Sequence, residues 1–166
     1  MCEGVVVYRE SHKYEHAFYS RVCKEYKLYP LPVSEPAKSF RSVRQAIENS
    51  GAKPNVFVVH RGIRSYFGDF EGKANQEGWK VYHIEERSQL LNLLTRDETA
   101  FKKARGTDFP KLDSYAYCAK VVAGDAELQI PYEEWVGMLD LKKVIACQKN
   151  KEAFGELAKV LDLLIM

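Results

Sequence analysis

Hydrophobic and polar positions follow two rhythms over the first hundred residues. Short apolar runs alternate with stretches whose apolar residues recur every three or four positions. Residues 4–9, Gly-Val-Val-Val-Tyr-Arg, form a continuous apolar run, the pattern of a strand covered on both faces. Ser11 is placed to cap a helix reaching about Tyr26, with Tyr14, Ala17, Phe18 and Val22 as its buried stripe. Residues 27–33 predict a second strand, and Pro30 and Pro32 suit it to an edge because they lack N–H donors. Residues 37–50 predict a second helix stopped by Gly51, with Phe40, Val43 and Ile47 on one face. Asn-Val-Phe-Val-Val-His at 55–60 predicts a third strand and 79–84 a fourth. The stretch 62–78 between them reads as loop with a short helix. A long helix is expected over 87–104, burying Leu90, Leu91, Leu94 and Phe101.

Strand and helix in alternation imply a mostly parallel sheet with helices on both faces. The predicted fold class is therefore α/β, a three-layer Rossmann-like domain over residues 1–105. After Gly106 and Pro110 the rhythm changes. Residues 115–122 and 127–130 read as a hairpin around Gly124-Asp125, and 144–147 as another strand. A last helix over 150–164 would bury Phe154, Leu157, Leu161 and Leu164. Residues 106–166 are thus expected to be an α+β extension packed on the core.

Composition narrows the class. With 46% hydrophobic and 29% charged residues in a chain of 166, a packed domain is expected rather than a disordered one. No apolar run approaches the roughly 18 residues of a spanning helix, and the start does not read as a secretory signal. Cys2, Cys23, Cys118 and Cys147 show no metal-ribbon or redox spacing, so free thiols and a cytoplasmic setting are expected. The net charge of +2 is small for a dedicated duplex-binding domain.

Candidate chemistry lies at the carboxyl ends of the predicted strands, where open parallel sheets bind ligands. Those ends carry Arg9, Glu10 and His12, then His60 and Arg61, then His83, Glu85 and Glu86. Glu10, His60 and His83 are the candidate acid and proton-handling residues. Arg9, Arg61, Arg64, Lys38 and Arg41 are candidate phosphate contacts, and Tyr66 and Phe67 lie nearby for stacking. His12-Lys13-Tyr14-Glu15-His16 matches His-x-x-Glu-His, which on a helix can bind zinc. Glu10, His12 and His16 are the candidate metal ligands. Phosphate-loop, dinucleotide-binding and nucleophile-elbow motifs are missing from the sequence.

Val5-Val6-Val7-Tyr8-Arg9-Glu10, the polar turn after it and the helix with Ala17-Phe18-Tyr19 resemble the Toprim fold of overcoming-lysogenization-defect nucleases over residues 4–95. The resemblance implies a catalytic acid at Glu10. It also implies an Asp-x-Asp pair for Mg²⁺ after the third strand, where this chain has His60-Arg61-Gly62. Two carboxylates suit a hard divalent cation and His-Arg does not. The resemblance thus leads to a domain that engages nucleic acid or nucleotide phosphates, with degenerate or altered nuclease chemistry. Two other readings stay open: a non-catalytic module binding a protein partner, and a zinc-dependent hydrolase using His12 and His16. Mg²⁺, Mn²⁺ or Zn²⁺ is the cofactor the metal-dependent readings would use. None of the readings calls for a membrane.

Overall fold

The computed structural model describes residues 2–61, 67–86, 89–106 and 113–165. Strands β1 (Val5–Arg9), β2 (Tyr29–Val33), β3 (Asn55–His60) and β4 (Lys80–Glu85) form one sheet in the order β2-β1-β3-β4. Every pairing is parallel, with Val5 opposite both Tyr29 and Val56, and Val56 opposite Val81. The chain winds outward in one direction from β1 to β2, then returns and builds β3 and β4 on the other side. The order therefore reverses between β1 and β3.

Side-chain alternation along the strands separates two apolar layers. Val5, Val7, Val56 and Val58 pack against helices α2 (Phe40–Ser50) and α3 (Gly68–Gln76) through Val43, Ala46, Phe70 and Ala74. Val6, Tyr8, Phe57, Val59 and Ile84 face α1 (Lys13–Tyr26) and the later helices. Each fully buried large side chain here contributes about 1.5–3 kcal/mol relative to exposure. Gly4 sets how closely β1 approaches β3, because a Cβ there would lie 2.6 Å from the Asn55 carbonyl oxygen.

Both sheet edges are closed to further pairing. Pro30 and Pro32 sit on edge strand β2. On the other edge, helix α9 (Lys151–Val160) lies along β4, and Glu156 Oε2 accepts the His83 backbone N–H at 2.6 Å.

The second half differs from expectation. The helix expected over 87–104 is two helices, α4 (Leu90–Leu94) and α5 (Glu98–Arg105). Asp97 divides them, since its carboxylate accepts the Ala100 N–H and starts a new helix. The hairpin expected at 115–130 is instead helix α6 (Ser114–Ala123), capped by Asp113 and ended by Gly124 in the left-handed region. Its aromatic and β-branched residues favour strands only weakly, and the two caps with burial of Tyr117, Cys118 and Val121 override that preference. Helix α7 (Tyr132–Met138) has no counterpart among the expected elements, and of the residues expected as a strand at 144–147, Val144 and Ile145 end α8 (Leu141–Ile145) and the other two follow it. Among the described residues, the segment after 106 adds helices and no strand. Leu164, expected to be buried, is 78% exposed.

Candidate functional site

The β1–β3 reversal splays the first turn of α1 away from the end of β3 and leaves a crevice of about 300 Å³. His12, Lys13 and Glu15 line one wall, Arg61 the floor, and Glu86 and Leu90 the far side. His12 occupies the N-cap position of α1 in extended conformation, and no side chain caps the helix. The first-turn amides of α1 thus meet the crevice with the positive end of the helix dipole.

Arg61 connects the walls. Its Nε lies 3.3 Å from Glu15 Oε1, and its Nη1 donates to the His12 ring, 2.8 Å from Nδ1. As the acceptor, His12 is the neutral imidazole. Burial lowers its pKa, and the nearby Arg61 and Arg9 charges act in the same direction against the opposing pull of Glu15.

Beneath Arg61 lie two buried carboxyl groups, Glu15 and Glu86, each 2% exposed. Tyr19 donates its hydroxyl to Glu86 Oε2 at 2.5 Å. Burial foremost, with the hydrogen bond and charge of Glu15 beside it, holds the Glu86 pKa well above the ordinary carboxyl value. Burial also raises Tyr19 and Tyr132, with the same carboxyl pair adding to the effect. Two like charges side by side in apolar surroundings repel, so the pair disfavours the doubly charged state.

A second polar group lies on the opposite sheet face. His60 Nε2 and His83 Nδ1 are 2.7 Å apart, and His83 Nε2 is 2.7 Å from Glu71 Oε1. His60 and His83 thus meet diagonally across β3 and β4, His60 lying opposite Glu85 and His83 opposite Val58. Glu10 does not join them. It is exposed at the end of β1 and accepts a hydrogen bond from Ser34 Oγ at 3.0 Å, on the β2 side.

The candidate metal set Glu10, His12 and His16 is not assembled. His12 precedes the helix rather than sharing a face with His16, and it is turned toward the Arg61 cation. His16 Nδ1 instead bonds the Tyr8 hydroxyl at 3.0 Å. Among the described residues, no three His, Cys, Asp or Glu side chains are grouped to hold a metal ion. Glu15, the acid within the His-x-x-Glu-His match, is buried.

Of the candidate phosphate contacts, Arg61 faces the crevice. Arg9 is exposed at the end of β1. Lys38 pairs with Glu35 at 3.3 Å on the surface, and Arg41 is exposed on α2. Arg64 lies outside the described residues.

Tyr19 and the pairing of Glu15 with Glu86 escaped the sequence reading. The available signal was helical register: Glu15 stands on the stripe with Phe18, Tyr19, Val22 and Cys23, which is the face α1 buries. A lone carboxylate on an apolar stripe demands a partner.

Compared with protein-family models, curated proteins and solved structures, the chain matches none. No helix of the described residues is long and apolar enough to cross a membrane.

Proposed function

We propose that this chain binds a phosphate-bearing ligand of the nucleotide class in the crevice between β1 and β3. The observation that carries the reading is the convergence of Arg61, His12 and the uncapped first turn of α1 at the point where the sheet order reverses. An arginine with Nη donors left for a ligand takes two oxygens of a phosphate at once. A helix N-terminus offers backbone N–H groups to a third. Lys13 adds a charge at the rim, while Leu90, Leu91 and Val122 supply apolar wall for a base or sugar. The Toprim resemblance leads to the same ligand class. His60 and Arg61 replace the acids that would hold Mg²⁺, which favours binding over two-metal cleavage.

Thermal shift with AMP, ATP, short DNA and short RNA, each with and without Mg²⁺, tests the reading. A mononucleotide should raise the melting temperature with concentration, by mass action. Arg61→Lys keeps the charge but loses the fork and should weaken the effect on the order of tenfold. Absence of a shift with every ligand overturns the proposal.

One observation supports a protein partner instead. Tyr115 and Val122, seven residues apart on α6, are 56% and 47% exposed. This apolar stripe ends at the crevice mouth, where Val122 forms part of the lining. Loss of self-association or partner capture in Tyr115→Lys, with nucleotide binding absent in the parent, would favour that reading.

A further inference from the structure

We propose that Tyr19, Glu86 and Glu15 form a bracket holding one shared proton, and that this bracket aims Arg61 into the crevice. The inference rests on the phosphate-binding reading of that crevice. Tyr19, Glu86 and Glu15 are positioning residues here, and Arg61 is the group that meets the ligand.

The hydrogen-bond inventory identifies the proton's place. Tyr19 occupies Glu86 Oε2, and Arg61 lies against Glu15 Oε1. Glu86 Oε1 and Glu15 Oε2 are buried, and among the described residues neither has a conventional donor. Both residues line the crevice, and Glu15 acts on Glu86 as a hydrogen-bonding neighbour and as a like charge. Two bare oxygens in that position repel, and both lack a donor in surroundings with no compensating solvent. A proton on Glu86 Oε1, donated to Glu15 Oε2, satisfies both atoms. Hydrogen bonds then run from Tyr19 to Glu86 and from Glu86 to Glu15, and Arg61 forms an ion pair with Glu15 at 3.3 Å from the other side.

The charges also balance. The bracket carries one negative charge and Arg61 one positive charge. Around them stand His12 at the N-cap of α1, Lys13 of its first turn and Tyr132 of α7, whose hydroxyl donates to the Tyr14 carbonyl, while Arg9 of β1 adds its charge at His12. Leu90 and Leu91 of α4 and Val122 of α6 bring no charge. Loss of the shared proton would place two buried carboxylates against one guanidinium and drive the bracket apart. Arg61 uses Nε on Glu15 and Nη1 on His12, which leaves N–H groups of the fork for a ligand.

Sulfate is the first probe, because its charge stays constant from about pH 6 to about pH 9 while carboxyl, imidazole and phosphate groups titrate. Calorimetric titration of the full chain with sulfate, and with AMP at fixed pH, is compared with Glu86→Gln and Glu86→Leu. The glutamine amide donates to Glu15 and its carbonyl accepts from Tyr19. Glu86→Gln should therefore bind within about twofold of the parent, whereas Glu86→Leu should weaken binding by about tenfold or more. Parent affinity should fall toward alkaline pH, and Glu86→Gln should lose that fall. If Glu86→Leu does not fold, the pH comparison of parent and Glu86→Gln decides the matter. Carbon NMR of the Glu86 carboxyl supplies a readout independent of binding, with titration expected well above the other glutamates. Ordinary titration of Glu86, or parallel pH profiles in parent and Glu86→Gln, overturns the bracket. A parent that binds neither sulfate nor AMP overturns the phosphate reading, and the NMR titration still judges the bracket.

Discussion

At the residue scale, protonation of Glu86 governs more than a ligand contact. Its carboxyl titrates higher in the folded chain than in the unfolded one, because the native surroundings disfavour its charge. The stability this contributes is complete below the ordinary glutamate pKa and is lost as pH rises through the raised native value. Denaturant unfolding at a series of pH values should show the parent weakening on the alkaline side relative to Glu86→Gln. Equal slopes would mean that Glu86 has no abnormal titration. The cysteines give a second expectation. Burial pushes the Cys23 and Cys118 thiols up to about 12, whereas Cys2 and Cys147 are only half-buried. Native labelling should modify Cys2 and Cys147 first, and unfolding should release the other two.

At the element scale, single polar atoms decide where helices begin. Asp97 serves two elements at once, through Ala100 N at 3.3 Å and Asp140 N at 2.8 Å. Asp97→Ala should cost about 1–2 kcal/mol or more, because the buried α5 cap is lost together with the acceptor of the part-buried Asp140 N–H bond. Asp113 caps α6 at an exposed site, so Asp113→Ala should cost only about 1 kcal/mol. Denaturation midpoints of the two variants check that ranking. For the sheet, Gly4→Ala drives a methyl group into the Asn55 carbonyl and should destabilise by about 1–3 kcal/mol. A neutral result there would show that β1 and β3 can separate at little cost.

The four parallel strands were legible because apolar runs of five or six residues punctuated by glycine, proline and polar turns have few other uses. The helical second half was harder to read. Tyr115-Ala116-Tyr117-Cys118-Ala119 carries no decisive period, and its helix depends on caps at both ends and on burial of Tyr117 against α5. Local preference was weak there, and packing won.

At the scale of the whole molecule, the sheet and the later helices share one apolar layer. Phe18 of α1 meets Phe154 of α9, and Trp135 of α7 meets Phe101 of α5. Arg21 ties α1 to the end of α7 by donating to the Val136 and Leu139 carbonyls, at 2.5 and 2.6 Å. The crevice draws on both parts, since α1, β3 and β4 supply its polar floor and α4 and α6 its apolar rim. Ligand binding is therefore expected to stabilise the sheet and the α4–α6 segment together. Hydrogen exchange with and without AMP should show added protection in both, and protection confined to the sheet would remove the helices from the site.

Period and punctuation along the chain were enough to establish the parallel α/β core, its edge prolines and the strand ends where chemistry collects. These are local properties, carried by neighbouring residues. Three-dimensional packing chose among those strand-end residues. It turned Glu15 inward by one helical position, set Glu86 beside it and laid Arg61 across both, while leaving Glu10 outside with Ser34. Residues 15, 61 and 86 meet only because the sheet order reverses between β1 and β3, and no local pattern encodes a contact over that separation.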